Sequence, residues 1–197
     1  ITATPQFDNE GHMFETLGIW RDVTEKKREE QAQARLNAVR MGLRAAAYGV
    51  SLAEPQATLD EVCRALVETG AYIAAWGTVC DETQQVTAFA ASGPDDVLNK
   101  LPIALGQPLP VCAKRIFSAD AALFAKDLPE FIGSPCEGLA KDGHVVLGAP
   151  LSVNDERYGV LCALAPGQVM PEEHETTLFG DLAHDVGEAL RRHALAA

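Results

Sequence analysis

Ala32, Leu36, Val39, Leu43, Ala46 and Val50 recur in alternating steps of four and three, inside a segment from Thr24 to about Glu54 that is otherwise rich in Lys, Arg, Glu and Gln. This heptad seam predicts one long helix with a narrow apolar stripe, suited to the interface of a two-stranded coiled coil. Lys26 to Arg35 is too polar to be buried in a monomer, so the seam is read as a dimer interface. Gly42 and Gly49 each weaken the helix by about 1 kcal/mol relative to Ala and mark where it would kink.

After Pro55 the spacing changes. Thr58 followed by Glu61 reads as a capping box, and Leu59, Val62, Cys63, Leu66 and Val67 form one apolar helical face that ends near Gly70. Tyr72 to Cys80 and Gln85 to Ser92 are strand-like runs around the turn Asp81-Glu82-Thr83-Gln84. The middle, Pro94 to Gly143, is less regular, with a short helix before Lys100, a helix over Val111 to Phe117, a strand over Ala121 to Phe124 and a Pro/Gly-rich loop. His144 to Val153 and Tyr158 to Ala165 make a second hairpin around Asn154-Asp155. Pro171-Glu172-Glu173 opens a last helix, closed by Arg191-Arg192-His193, with acids at its positive end and bases at its negative end.

At the other end of the chain, Gln6-Phe7 and His12 to Trp20 are strand-like on either side of Asp8-Asn9-Glu10-Gly11. Asp22-Val23-Thr24-Glu25-Lys26-Lys27 follows, with Asp22 placed as N-cap and Glu25 three residues on. This strand, turn, strand and exit motif resembles the C-terminal hairpin of a PAS domain, of which only the last two strands are present. The later succession resembles a GAF domain: a helix, two strands, an irregular middle, the hairpin Gly-Ala-Pro-Leu-Ser-Val-Asn-Asp-Glu-Arg-Tyr-Gly-Val-Leu, and a helix after Pro-Glu-Glu. The resemblance implies an α+β fold, a GAF-like antiparallel sheet with helices on one face and a pocket on the other closed by the irregular middle. It implies three parts: the PAS hairpin (1–23), a signalling helix (24–54) and the GAF domain (55–197).

Composition changes this picture little and narrows the partners. Of the 197 residues 47% are hydrophobic and 22% charged, as in an ordinary globule, and the first residue is Ile1, as in a piece of a longer protein. A formal net charge of −12 argues against nucleic acid or an anionic membrane as main partner. No run approaches the roughly 20 apolar residues of a membrane span, and the expectation is a cytoplasmic protein. Five cysteines without a Cys-x-x-Cys spacing read as reduced thiols acting as small apolar residues. The five histidines have no ligand spacing, so no metal is expected, and no particular cofactor is indicated.

The chemistry of better-known members of the family is not spelled out in this chain. The Asn-Lys-Phe-Asp-Glu signature of cyclic-nucleotide binders and the Cys-His pair of bilin binders have no counterpart. Leu182-Ala183-His184-Asp185 is similar to a phosphoacceptor segment but lacks the following Pro. Val111-Cys112 and Gly133-Ser134-Pro135-Cys136 resemble cysteine segments of GAF-fold free methionine sulfoxide reductases, with Ala113 and Glu137 in place of Gly and Asp and with Pro102 near the place of that family's further upstream cysteine. The reading is therefore a bacterial sensory module, dimeric and not an enzyme, acting in two-component or cyclic-di-GMP signalling, with the reductase as the alternative. It would take a small ligand between Trp76, Phe89, Cys112, Asp127, Phe131 and Val146, and relay its state to a cyclase, phosphodiesterase or histidine kinase output domain elsewhere in the protein.

Overall fold

A computed structural model describes residues 2–19, 24–49, 54–124, 144–166 and 173–196. They form two compact units, residues 1–30 and 31–197. The first holds an antiparallel hairpin of β1 (Thr2–Phe7) and β2 (Met13–Ile19) and the opening turns of a helix. Its turn is set by Asp8, whose Oδ1 accepts from the amides of Glu10 (2.9 Å) and His12 (2.8 Å), while Gly11 supplies the left-handed backbone at φ +84°. Phe7 and Met13 are register partners and both are exposed. The anticipated cap by Asp22 lies outside the described residues.

Helix α1 (Thr24–Gly49) runs from the first unit into the second, one continuous helix through Gly42. Within the second unit it buries Arg35, Ala38, Val39, Gly42, Ala45 and Ala46, a stripe of i, i+3, i+4 spacing as wide as that of a globular helix. The heptad seam is thus divided. Val39 and Ala46 are covered by their own domain, Ala32, Leu36 and Leu43 sit half-buried on its shoulder, and Val50 lies outside the described residues.

Helix α2 (Pro55–Glu68) begins one turn earlier than the anticipated capping box. Pro55 takes the first helical position, where its fixed φ is already helical and its missing amide would have had no partner. Thr58, within the first turn, is fully buried, and Glu61 pairs with Arg64 instead. The helix ends at Thr69, and Gly70 turns the chain away at φ +70°.

The remaining elements are β3 (Ala74–Cys80), β4 (Val86–Ser92), α3 (Asp95–Leu98), α4 (Val111–Phe117), β5 (Leu123–Phe124), β6 (Val145–Val153), β7 (Glu156–Ala165) and α5 (Glu173–Ala196). The five strands form one antiparallel sheet in the order β4-β3-β7-β6-β5. Asn154 and Asp155, at φ 50° and 68°, make the tight reversal between β6 and β7 that strand twist favours. Gly159 is obligatory: a Cβ there would stand 1.7 Å from the Thr78 carbonyl oxygen on the neighbouring strand. Both faces of the sheet are buried. Ala75, Leu147, Ala149, Leu151, Leu161 and Ala163 meet α1, α2 and α5, whereas the short α3 and α4 pack on the other face, which was expected to carry the pocket.

Candidate functional site

Alternation along the strands decides which side chains reach the α4 face. Trp76 on β3 projects there from between its register partners Ala91 and Cys162, and Val146 on β6 from beside Leu164. Opposite Cys162 stands Gly148, and its missing Cβ makes room for Ile116 of α4, whose Cδ1 would be 2.6 Å from any Cβ added there. With α4 held that close, Cys112 and Ala113 on its inner side join the same apolar cluster. Four of the six anticipated lining residues are thus brought together: Trp76, Cys112 and Val146 are 5% exposed or less, and Phe89 packs half-buried at the margin. Asp127 and Phe131 lie outside the described residues, as does Cys136.

Three devices hold this face, and none was read from the sequence. Arg157 at the start of β7 donates through Nη1 to the carbonyls of Phe117 and of Ala119 (2.8 Å), and through Nη2 to Asp120 (3.3 Å). It closes the C-terminal end of α4 with a cation, where the helix dipole favours one. The segment after α3 lies along β4, with Gly106 donating to Val86 (2.8 Å) and Val86 to Gln107 (2.9 Å). Further along the same edge strand, the Gln56 amide donates to Phe89 O (2.7 Å) and accepts from Phe89 N (3.2 Å), so a side chain stands in for the missing next strand.

Burial raises the Cys162 and Cys80 thiols on this face and the Cys63 thiol on the helix side of the sheet. It pushes Cys162 well above the ordinary range, with smaller contributions from Cys112 and Cys63. Among the described residues no group of three or more His, Cys, Asp or Glu could hold a metal ion, and no helix is long and apolar enough to cross a membrane.

Two features lie on the opposite side of the sheet. A cleft of about 370 Å³ opens between α5 and β6, lined by Pro150, Ser152, Thr177, Asp181 and His184 among others. His184 of the phosphoacceptor-like segment is exposed there, its Nδ1 3.2 Å from Ser152 O. The second feature is a buried polar cluster: Arg35 Nε donates to both carboxylate oxygens of Glu175 (2.8 and 2.9 Å), and the Tyr72 hydroxyl donates to Glu175 Oε1 (2.8 Å). Burial, and then the Glu175 charge, raise the Tyr72 pKa and keep it a donor. The only sequence signal for this cluster is a charged residue at a buried helical phase, Arg35 three and four residues before Ala38 and Val39.

Several solved structures share this fold. The free methionine-R-sulfoxide reductase from Neisseria meningitidis, in complex with its substrate, superposes with a TM-score of 0.61 at 16% identity, over 81% of this chain and 92% of that one. The GAF domain of an Acinetobacter phosphoenolpyruvate-protein phosphotransferase gives 0.58 at 15% identity, over 82% and 95%. A methyl-accepting chemotaxis protein gives 0.58 at 15%, over 77% and 98%. No curated protein matches the sequence. The family model of the GAF domain matches residues 53–191, the span that holds the whole five-stranded sheet, α2 to α4, most of α5 and the Trp76–Cys112–Val146 face, and the chain belongs to that family.

Proposed function

We propose that this chain is a sensory GAF module of a bacterial signal-transduction protein, preceded by the hairpin of a PAS domain, and that it relays a conformational state through its flanking helices to an output domain. The observation that carries the reading is the pairing of α1 with α5. Arg35 meets Glu175 and, seven residues on in both helices, Gly42 meets Leu182, so the two run parallel. The helix that enters and the helix that leaves therefore point the same way along one side of the domain, as a pass-through relay needs. A cyclase, phosphodiesterase or histidine kinase would receive the signal, in two-component or cyclic-di-GMP signalling. A small ligand would act on the face of Trp76, Phe89, Cys112 and Val146, and only through its difference in affinity between two arrangements of α4. The half-buried Leu36 and Leu43 would form the seam with a second copy.

The module has no catalytic role in this reading. Cys112 is 2% exposed within an apolar cluster, whereas a catalytic thiol needs solvent access and a stabilised thiolate. Two measurements test the proposal. Light scattering should give a dimer, converted to monomer by Leu36→Glu with Leu43→Glu; a wild type already monomeric at high concentration removes the seam. Incubation with free methionine sulfoxide and a thioredoxin-type reductant should give no turnover. Turnover that vanishes in Cys112→Ser would replace the sensor by a reductase.

A further inference from the structure

Arg35 and Glu175 are the charged residues that the described structure buries, each with a side chain 2% exposed. Their partner Tyr72 is 1% exposed. The Glu175 carboxylate joins three elements at one point. It sits in the first turn of α5, where the helix dipole favours an anion. It accepts from Arg35 on α1, and from Tyr72 just ahead of β3, where the amide of the next residue, Ile73, is bound to Leu164 O of β7 (2.7 Å). Four residues after Tyr72 the same stretch delivers Trp76 to the opposite face of the sheet. A buried ion pair is weak evidence for stability, because desolvation offsets its attraction; its best-attested use is to specify one register among several.

The neighbouring layer points the same way. A Cβ at Gly42 would stand 2.9 Å from Leu182 Cδ2 and 3.5 Å from Leu66 Cδ2, so α1 approaches both helices closely at this one position. Sliding α1 by one turn along α5 would set the Arg35 guanidinium beside the buried Phe179 and bring Ala38 or Ala46, with their methyls, against Leu182. Charge pairing and steric fit therefore select the same register, and a slide of one turn satisfies neither.

We propose that the Arg35–Glu175–Tyr72 cluster is the coupling node of the domain: it locks α1, α5 and the leading end of β3 into one rigid body, so that motion of one is motion of all three rather than sliding of one helix past another. This deepens the relay reading and rests on it for its use, but the coupling itself needs neither ligand nor output domain. Hydrogen exchange on the whole chain tests it. In the wild type, amides of residues 36–46 and 179–190 should exchange as one cooperative unit. Replacing the pair by apolar side chains of similar size, Arg35→Met with Glu175→Leu, should keep the fold by near-ultraviolet circular dichroism while residues 36–46 exchange at least tenfold faster than 179–190. Rates that stay matched within threefold in the folded variant, or a loss of protection equal in every element, would overturn the node. If that variant does not fold, Tyr72→Phe decides. Faster exchange reaching both helices supports the proposal, and an effect confined to residues 72–76 overturns it. Coupled helices in a chain that relays no signal would remove the functional reading and leave the node standing.

Discussion

The closeness of α4 to the sheet is best tested at Gly148. In Gly148→Ala the new methyl would lie 2.6 Å from Ile116 Cδ1, 3.0 Å from Cγ1 and 3.1 Å from Cγ2, and ordinary contacts begin near 3.4 Å. Three contacts to one branched side chain cannot be relieved by rotating its far end alone, because Cγ1 and Cγ2 are fixed to the helix through Cβ. Ile116 is itself buried and α4 is tied at its end by Arg157, so α4 must lift as a unit by several tenths of an ångström. Overpacking of this kind costs about 1–3 kcal/mol. Ile116→Ala alone should cost about 2–5 kcal/mol through the cavity it leaves. The double variant refills part of that cavity with the alanine methyl, so it should be more stable than the sum by about 1–2 kcal/mol, within the range of contacting residues. Urea unfolding reads this directly: with a slope of about 1–3 kcal/mol per molar, a 2 kcal/mol change moves the midpoint by about 1 M. Additivity within about 0.5 kcal/mol would mean that Gly148 and Ile116 do not share that space, and the account of how α4 seats over the Trp76 face would fall.

Gly159→Ala should fail to give a folded protein, costing about 4 kcal/mol or more, because the obstacle is the backbone of β3 and not a side chain that can turn; a circular-dichroism melt resembling wild type would refute this. Asp81 makes the β3–β4 turn pH-dependent. The Thr83 hydroxyl first, then the Gln85 amide, hold its carboxyl below the usual range, so the ion's contribution is complete above the ordinary carboxylate value and is lost as pH falls through the depressed one. A carbon-detected NMR titration should place its midpoint below those of the exposed acids, and a midpoint at or above theirs would contradict the geometry.

How much of this could be read from the sequence follows from what each pattern encodes. The two hairpins around Asp81–Gln84 and Asn154–Asp155 were legible because turn residues and strand alternation are local signals, whereas Trp76 and Val146 were put together only as lining of the pocket that the family resemblance implied. The start of α2 was misread because Thr58-x-x-Glu61 matches a capping box, while Pro55 also starts a helix; local rules offered both, and burial of Thr58 against the sheet side selected Pro55. The heptad seam was real as a period but ambiguous as to partner. Leu36 and Val39 fit a coiled coil as well as an intramolecular face, and only the fold shows that Val39 is spent on its own core. The Arg157 clamp, the Gln56 clasp and the Arg35–Glu175 pair join residues 33 to 140 positions apart, and no periodicity carries that information.

These long-range ties also bear on what ligand binding would have to do. Trp76, Cys112, Ile116 and Val146 already fill one another's contacts, so a molecule entering among them must move α4 outward, the direction in which Gly148 and Ile116 separate. Arg157 resists that motion at one end of α4, through carbonyls at Phe117 and Ala119 that would otherwise face water. Arg157 itself sits at the start of β7, two residues before Gly159, whose partner Val79 is at the opposite end of β3 from Tyr72. Strain from a lifted α4 would enter at the trailing end of β3 and would have to run the length of that strand to the end fastened to Glu175. Direction as well as strength matters here. Because a slide of one turn breaks the pair on Glu175, strain arriving along β3 can turn or tilt the two helices together but cannot separate them without exposing a buried charge, which makes rigid rotation the motion of lowest cost.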